Sequence, residues 1–286
     1  MGRYCLFRIN STRGMALGGV EARRGPRHPS GRDAARSRDA VGGPDLIGPR
    51  ADTFDASRPT VYIFRRPVGY SIGPSPNMKW RAPVATPVKL AIVYYSSTGT
   101  IAEIAKELHD AGVKAGAEVR LLKTAELAPQ AVIDSNPAWA ANQAATIDIP
   151  WAAPEDIEWA DAVLFGTPTR FGNLSSQLKQ FIDTLGGLWA QGKLADKVYS
   201  GFVSSATAHA GQESTLLALY NSVHHFGGII VSPGFTDPTK FTDGNPYGTS
   251  HVDAQGNNPV DDTARTAARV QAQRVVTIAT KLKAAA

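Results

Sequence analysis

The stretch VKLAIVYYSSTGTIAEIAKEL, residues 88–108, joins three kinds of sequence without a break. Val88 to Tyr95 is a continuous apolar and β-branched run, the pattern of a strand buried on both faces. From Ile101 to Ala115 the apolar positions fall at Ile101, Ile104, Ala105, Leu108 and Ala111, the stripe of an amphipathic helix. Between them lie Ser96, Ser97, Thr98, Gly99 and Thr100, whose hydroxyls and backbone N–H groups face the positive end of the helix dipole. Such a loop suits a phosphate. It contains neither Lys nor Arg, so it matches neither G-x-x-x-x-G-K-[ST] nor G-x-G-x-x-G, and hydroxyls and amides alone suit a tightly held monophosphate ester. Taken alone, the same loop also reads as a Ser/Thr helix cap.

The strand-and-helix texture continues from Val88 to the C-terminus. Strands are predicted at Ala117–Lys123, Asp161–Gly166, Val198–Ser205 and Gly228–Ser232, and helices at about Leu174–Leu185, Gln212–Phe226 and Asp262–Lys283. The segment holding Pro129, Pro137, Pro150 and Pro154 is expected to be a long loop. Five strands alternating with helices imply an α/β, doubly wound parallel sheet, because parallel neighbours need crossover connections. In such a sheet ligands sit outside the carboxyl ends of the strands.

Composition divides the chain in two. Residues 1–87 hold 15 Lys+Arg against 6 Asp+Glu, net +9, whereas residues 88–286 hold 15 against 19, net −4. The basic character therefore belongs to one end and is no nucleic-acid footprint of the domain. Residues 1–87 are rich in Arg, Gly, Pro and Ser with no sustained period, so a disordered, basic extension is expected there. A targeting peptide and a translation start at Met78 are alternative readings, and the VYIF run at Val61–Phe64 is too short to nucleate a fold. Cys5 is the only cysteine, which rules out an intrachain disulfide and a cysteine-based metal cluster and suits a reducing, cytoplasmic location. No apolar run approaches the roughly 18–20 residues of a membrane span.

Two further loops end predicted strands. Gly166–Asn173, GTPTRFGN, combines a stiff Pro168, a turn glycine at Gly172, the apolar face of Phe171 and the cation of Arg170. Ser204–Glu213, SSATAHAGQE, is small, hydroxyl-rich and leads into a helix. Each has a plain structural reading, as core, surface charge or cap, but capping explains three such loops on one sheet edge less well.

YYSSTGTI, FGTPTRFGN, GGLW and SSATAHAGQE, in this order and spacing, resemble the WrbA-type NAD(P)H:quinone oxidoreductases of the flavodoxin-like fold, and NPYGTS at Asn245–Ser250 extends the match. The resemblance spans about Val88 to Lys283. It implies that Ser96, Ser97, Thr98, Gly99, Thr100 and Ile101 hold the phosphate of FMN, and that Thr169, Arg170 and Phe171 line the isoalloxazine. Ser205, Ala206, Thr207, Ala208, His209 and Ala210 would close over its other edge. Trp189 would face the quinone, and His225 aligns with the family's flavin-site histidine. Thr98 stands where some members carry an aromatic residue, and Ala206, Ala208, His209 and Ala210 stand where relatives are richer in glycine.

The resemblance further implies NADH or NADPH as co-substrate, a small-molecule quinone as acceptor, ping-pong turnover and a homotetramer, with neither nucleic acid nor membrane as partner. The rival is a flavodoxin-like electron carrier acting with a protein partner. Such carriers tend to be strongly acidic, and −4 over the domain is mild. The insertion Thr236–Pro259 also favours a walled pocket over an exposed flavin edge.

Overall fold

The computed structural model describes residues 86–285; the expected disorder of the extension, Met78 and the VYIF run lie outside the described residues. Strands β1 (Lys89–Tyr94), β2 (Glu118–Lys123), β3 (Ala162–Pro168), β4 (Val198–Ser205), β5 (Ile229–Ile230) and β6 (Thr249–Val252) form one sheet. Its order is β2-β1-β3-β4-β5, with β6 also paired to β4, and every pairing is parallel. This is the doubly wound order of flavodoxin-like folds, whose direction reverses between β1 and β3. Among the described residues the α-helices are α1 (Thr100–Lys114), α2 (Gln130–Asp134), α3 (Pro137–Ala145), α4 (Pro154–Trp159), α5 (Ser176–Asp183), α6 (Gly186–Ala190), α7 (Gln212–Phe226), α8 (Lys240–Asp243) and α9 (Asp262–Ala285).

Alternation along β1 splits the core into two layers. Leu90, Ile92 and Tyr94 pack with Ile101, Ile104 and Leu108 of α1 and Ala268, Ala272 and Val275 of α9. Ala91 and Val93 face the other way, among Leu178, Phe181 and Ile182 of α5 and Leu216, Leu219 and Val223 of α7. Leu90 to Val93 are fully buried. Burial of a Leu, Ile or Val side chain contributes about 1.5–3 kcal/mol, which is why a strand without a polar face is stable only in this central position.

Two expectations need correction. The proline-bearing segment after β2 is not a plain loop, because it contains α2, α3 and α4. Pro137 and Pro154 occupy the first turns of α3 and α4, where a missing N–H leaves no helical bond unmade. The fifth strand is also not continuous from Gly228 to Ser232. β5 pairs only with Val198 and Tyr199, and β6, drawn from the expected insertion, pairs with Phe202–Ser205. The N–H of Val231 still donates to Tyr199 O at 2.8 Å, but Pro233 has no N–H with which to continue the ladder. The chain leaves and returns to the same edge after α8, whose fully buried Lys240 pairs with Asp243.

Gln271 of α9 joins these pieces. Its Nε2 donates to Ser200 Oγ and to Gly201 O, both at 2.7 Å, and its Oε1 accepts the N–H of Thr249 at 2.9 Å. Gln271→Leu keeps the bulk but orphans a buried N–H, a carbonyl and a hydroxyl. Chemical denaturation should show a loss of about 2–4 kcal/mol, the cost of unpaired buried polar groups.

Candidate active site

Because β1, β3 and β4 are parallel and in register, the loops after them open at one sheet edge. The first is pinned from within and from outside. Gly99 adopts φ 106° as the N-cap of α1, and its N–H donates to Ser96 Oγ at 3.1 Å. Asn142 of α3 donates from Nδ2 to the carbonyls of both Ser96 (2.9 Å) and Ser97 (3.1 Å). No side chain caps α1, and among the described residues the N–H groups of Ser97, Thr98, Thr100, Ile101 and Ala102 donate to no protein group. These form an open cluster of donors at a helix N-terminus, the arrangement that binds anions. The Thr100 hydroxyl is engaged with Asp253 Oδ2 at 3.2 Å.

The second loop is a tight turn. Arg170 and Asn173 exchange backbone hydrogen bonds at 2.8 and 3.0 Å, with Phe171 (φ 54°) and Gly172 (φ 76°) in the left-handed region between them. An aromatic residue in this conformation is costly, and Phe171 is fully exposed. Its ring therefore gains nothing from burial within this chain. Arg170 lies close enough to Tyr95, at the end of β1, for its charge to oppose the other influences on that phenol. Burial, then the Glu126 carboxylate, hold the Tyr95 hydroxyl well above the ordinary tyrosine range.

The third loop is fastened to the second. Thr169 Oγ1 lies 2.7 Å from Thr215 Oγ1, and the N–H of Thr169 donates to Ser204 O at 2.8 Å. A side chain on Gly211, which caps α7 at φ 95°, would meet the Cα of Gly172 at 2.9 Å, so glycine there permits the approach of the two backbones, and a side chain on Gly172 would meet Ser214 Oγ at 2.8 Å. Ser205 is buried and donates to Thr207 O at 2.9 Å, while Ala206, Thr207, Ala208 and His209 are exposed and Ala210 is half-buried. The N–H of Asp253 donates to Ser205 O at 2.8 Å, so Asp253 links the first and third loops.

Trp189 and His225 are placed elsewhere. Trp189 lies in α6, and its indole Nε1 donates to the backbone carbonyl of His225 at 2.8 Å, so the two residues are neighbours. α7, however, starts at the third loop and ends beside the opposite sheet edge, where Gly227 O accepts from Asp196 N–H and Ile229 pairs with Val198. Fifteen helical residues span about 22 Å. Within one chain the structure thus gathers Ser96–Ile101, Thr169–Phe171 and Ser205–Ala210 at one edge, and the half-exposed Trp189 with His225 at the other.

Sequence reasoning missed Asn142, Glu126 and Asp253. Asn136 ahead of Pro137 signals the start of α3, but nothing local indicates that this helix returns to the first loop. Glu126 accepts five hydrogen bonds: from Tyr95 Oη (3.0 Å), Trp139 Nε1 (3.1 Å), Gln177 Nε2 (3.1 Å) and the N–H groups of Leu127 (2.8 Å) and Ala128 (2.9 Å). Burial alone would raise its pKa, but the donors outweigh it and hold the carboxyl below the ordinary glutamate range.

Residues 90–241 match the family of NADPH-dependent FMN reductases. The chain is 51% identical over 200 residues to an NAD(P)H dehydrogenase (quinone) of Deinococcus radiodurans, a match covering 70% of this chain and 99% of that one. It is 38% identical to the protein of the same name from Aromatoleum aromaticum, over 68% of this chain and 97% of that one. A WrbA-like flavodoxin structure from Agrobacterium tumefaciens aligns at 23% identity and a TM-score of 0.48, covering 68% of this chain and 98% of that one. The chain is a flavodoxin-like α/β protein of the FMN-reductase class. Within that class it belongs to the NAD(P)H dehydrogenase (quinone) family. Among the described residues no helix is long and apolar enough to cross a membrane, and no cluster of His, Cys, Asp and Glu forms a metal site.

Because the folded-state pKa of Glu126 is depressed, its contribution to stability is present above the unfolded glutamate range and is lost as pH falls through the folded value. Glu126→Gln should lower the thermal midpoint at pH 7. The gap from the unsubstituted protein should narrow below about pH 4.5. Melting curves between pH 7 and pH 3 measure this.

Proposed function

We propose that the chain is an FMN-dependent NAD(P)H:quinone oxidoreductase that converts quinones to hydroquinones by two-electron reduction. The observation that carries this reading is the open donor cluster at the start of α1, at the point where the strand order reverses, with the exposed Phe171 in the loop that follows the neighbouring strand β3. These residues fit FMN. The N–H groups of Ser97, Thr98, Thr100, Ile101 and Ala102 suit a phosphate in number and in neutrality. Arg170 and Phe171 offer a cation and an aromatic face, the chemistry that an isoalloxazine ring accepts. Ser205 to Ala210 supply a strip of small residues and backbone along the facing side. FMN, when bound, supplies the redox chemistry, and the protein supplies position and exclusion.

The reading uses one pocket twice: the oxidised nucleotide leaves before the quinone enters, which is ping-pong turnover. It also includes a cytoplasmic homotetramer. Trp189 and His225 lie at the opposite sheet edge from their own chain's three loops, so in this reading they reach the flavin loops of a neighbouring copy. There Trp189 would stack on the planar quinone, and the His225 imidazole, which makes no hydrogen bond among the described residues, would be free to hold or deliver a proton.

The decisive experiment adds FMN to the purified protein, removes the excess, and follows absorbance near ~450 nm through anaerobic NADH and then benzoquinone. Retention, bleaching and recovery without a partner protein are expected; absence of retained flavin would overturn the reading. Initial-rate plots should give parallel lines, and intersecting lines would exclude the shared pocket. Trp189→Ala should raise the KM for benzoquinone by about 3- to 10-fold, the worth of one aromatic contact, with light scattering of the unsubstituted protein giving the mass of four chains.

A further inference from the structure

We infer that Asn142 is a positioning residue for the phosphate of FMN, an assignment that rests on the flavin reading above. The first loop has no cation, so its affinity for an anion depends on the direction of its peptide dipoles. A trans peptide points its C=O and its N–H to opposite sides, and the described residues contain no cis peptide. The Ser96 carbonyl shares a peptide plane with the N–H of Ser97, and the Ser97 carbonyl with the N–H of Thr98. One amide nitrogen, Asn142 Nδ2, holds both carbonyls, at 2.9 and 3.1 Å. The two N–H groups must therefore point away from α3, and neither has a protein acceptor among the described residues. Rotation of either peptide would break a bond to Asn142 and aim a carbonyl at the anion instead.

The position of α3 matches this role. None of its nine residues is buried, so apolar packing does not hold it. Polar contacts do: Trp139 Nε1 reaches Glu126, Lys123 Nζ reaches the carbonyl of Thr146 at its C-cap, and Asn142 reaches the loop. The orientation of the Asn142 amide is unambiguous, because an amide oxygen cannot donate to two carbonyls. Nearby acidic groups make the orientation matter more. Glu103 lies in the first turn of α1, though bound to Arg265, and Asp253 accepts from Thr100.

The test compares FMN with riboflavin, which lacks only the phosphate, by titrating flavin fluorescence into the flavin-free full chain. The unsubstituted protein should prefer FMN by about 100-fold or more, given several amide bonds to a charged group. In Asn142→Ala and in Asn142→Leu, the latter close to Asn in size but without donors, FMN affinity should fall about tenfold or more while riboflavin affinity changes less than about twofold. The apo melting temperature checks that both variants fold. Unchanged FMN affinity, equal loss for both flavins, or recovery by Leu would overturn the assignment, the last by showing that bulk alone matters. If the unsubstituted protein binds both flavins equally, the phosphate-loop reading itself fails and the role of Asn142 fails with it.

Discussion

The structure depends on β1 being paired on both sides. Lys89–Tyr94 takes β2 on one side and β3 on the other, both parallel, and its alternate side chains enter the two core layers. A strand held in this way has no freedom of register, because a shift by one residue would exchange the contents of the layers. Its carboxyl end is therefore fixed relative to those of β3 and β4. The three loops converge because the strands beneath them cannot slide.

Above that rigid floor, the loops are held by polar contacts instead of apolar burial. Thr169 meets Thr215, Asp253 bridges Thr100 and Ser205, Glu126 gathers five donors, and Asn142 turns two peptides. Such contacts suit a site that must leave donors open. A hydrophobic clamp would cover the N–H groups at the start of α1, whereas hydrogen bonds to the carbonyls on the far side of the same peptides leave them facing outward. Phe171, strained and fully exposed, is the apolar exception. The proposed flavin and neighbouring copy would give its ring the contact that this chain withholds.

The separation of Trp189 and His225 from the loops bears on assembly. An α/β crossover carries the chain from one sheet edge to the other, so residues late in a helix cannot line the edge from which that helix starts. The resemblance to the WrbA-type enzymes gives both groups roles in one site. In the proposed function those statements agree only if the site is shared between copies.

Much of the fold was legible locally. The apolar run at Val88–Tyr95, the helical stripe after it, and the later strand Val198–Ser205 and helix Gln212–Phe226 follow from periodicity, because a buried strand or helix face needs a regular pattern of side chains. The three loops were legible as candidates, since Gly, Ser, Thr and Pro mark strand ends. The division of the last strand position between β5 and β6 was not, because Thr249–Val252 is four residues long and becomes a strand only by finding the free half of β4. Asn142, Glu126 and Gln271 were equally silent: apart from the N–H groups of Leu127 and Ala128 beside Glu126, the partners of their side chains lie 13 or more residues away, and a polar side chain carries no periodic signal. The sequence by itself determined the elements and the kind of loop between them, because those depend on neighbours in the chain. Tertiary structure alone decided which peptide N–H groups stay open and which site residues one chain cannot bring together, because both depend on contacts between distant segments.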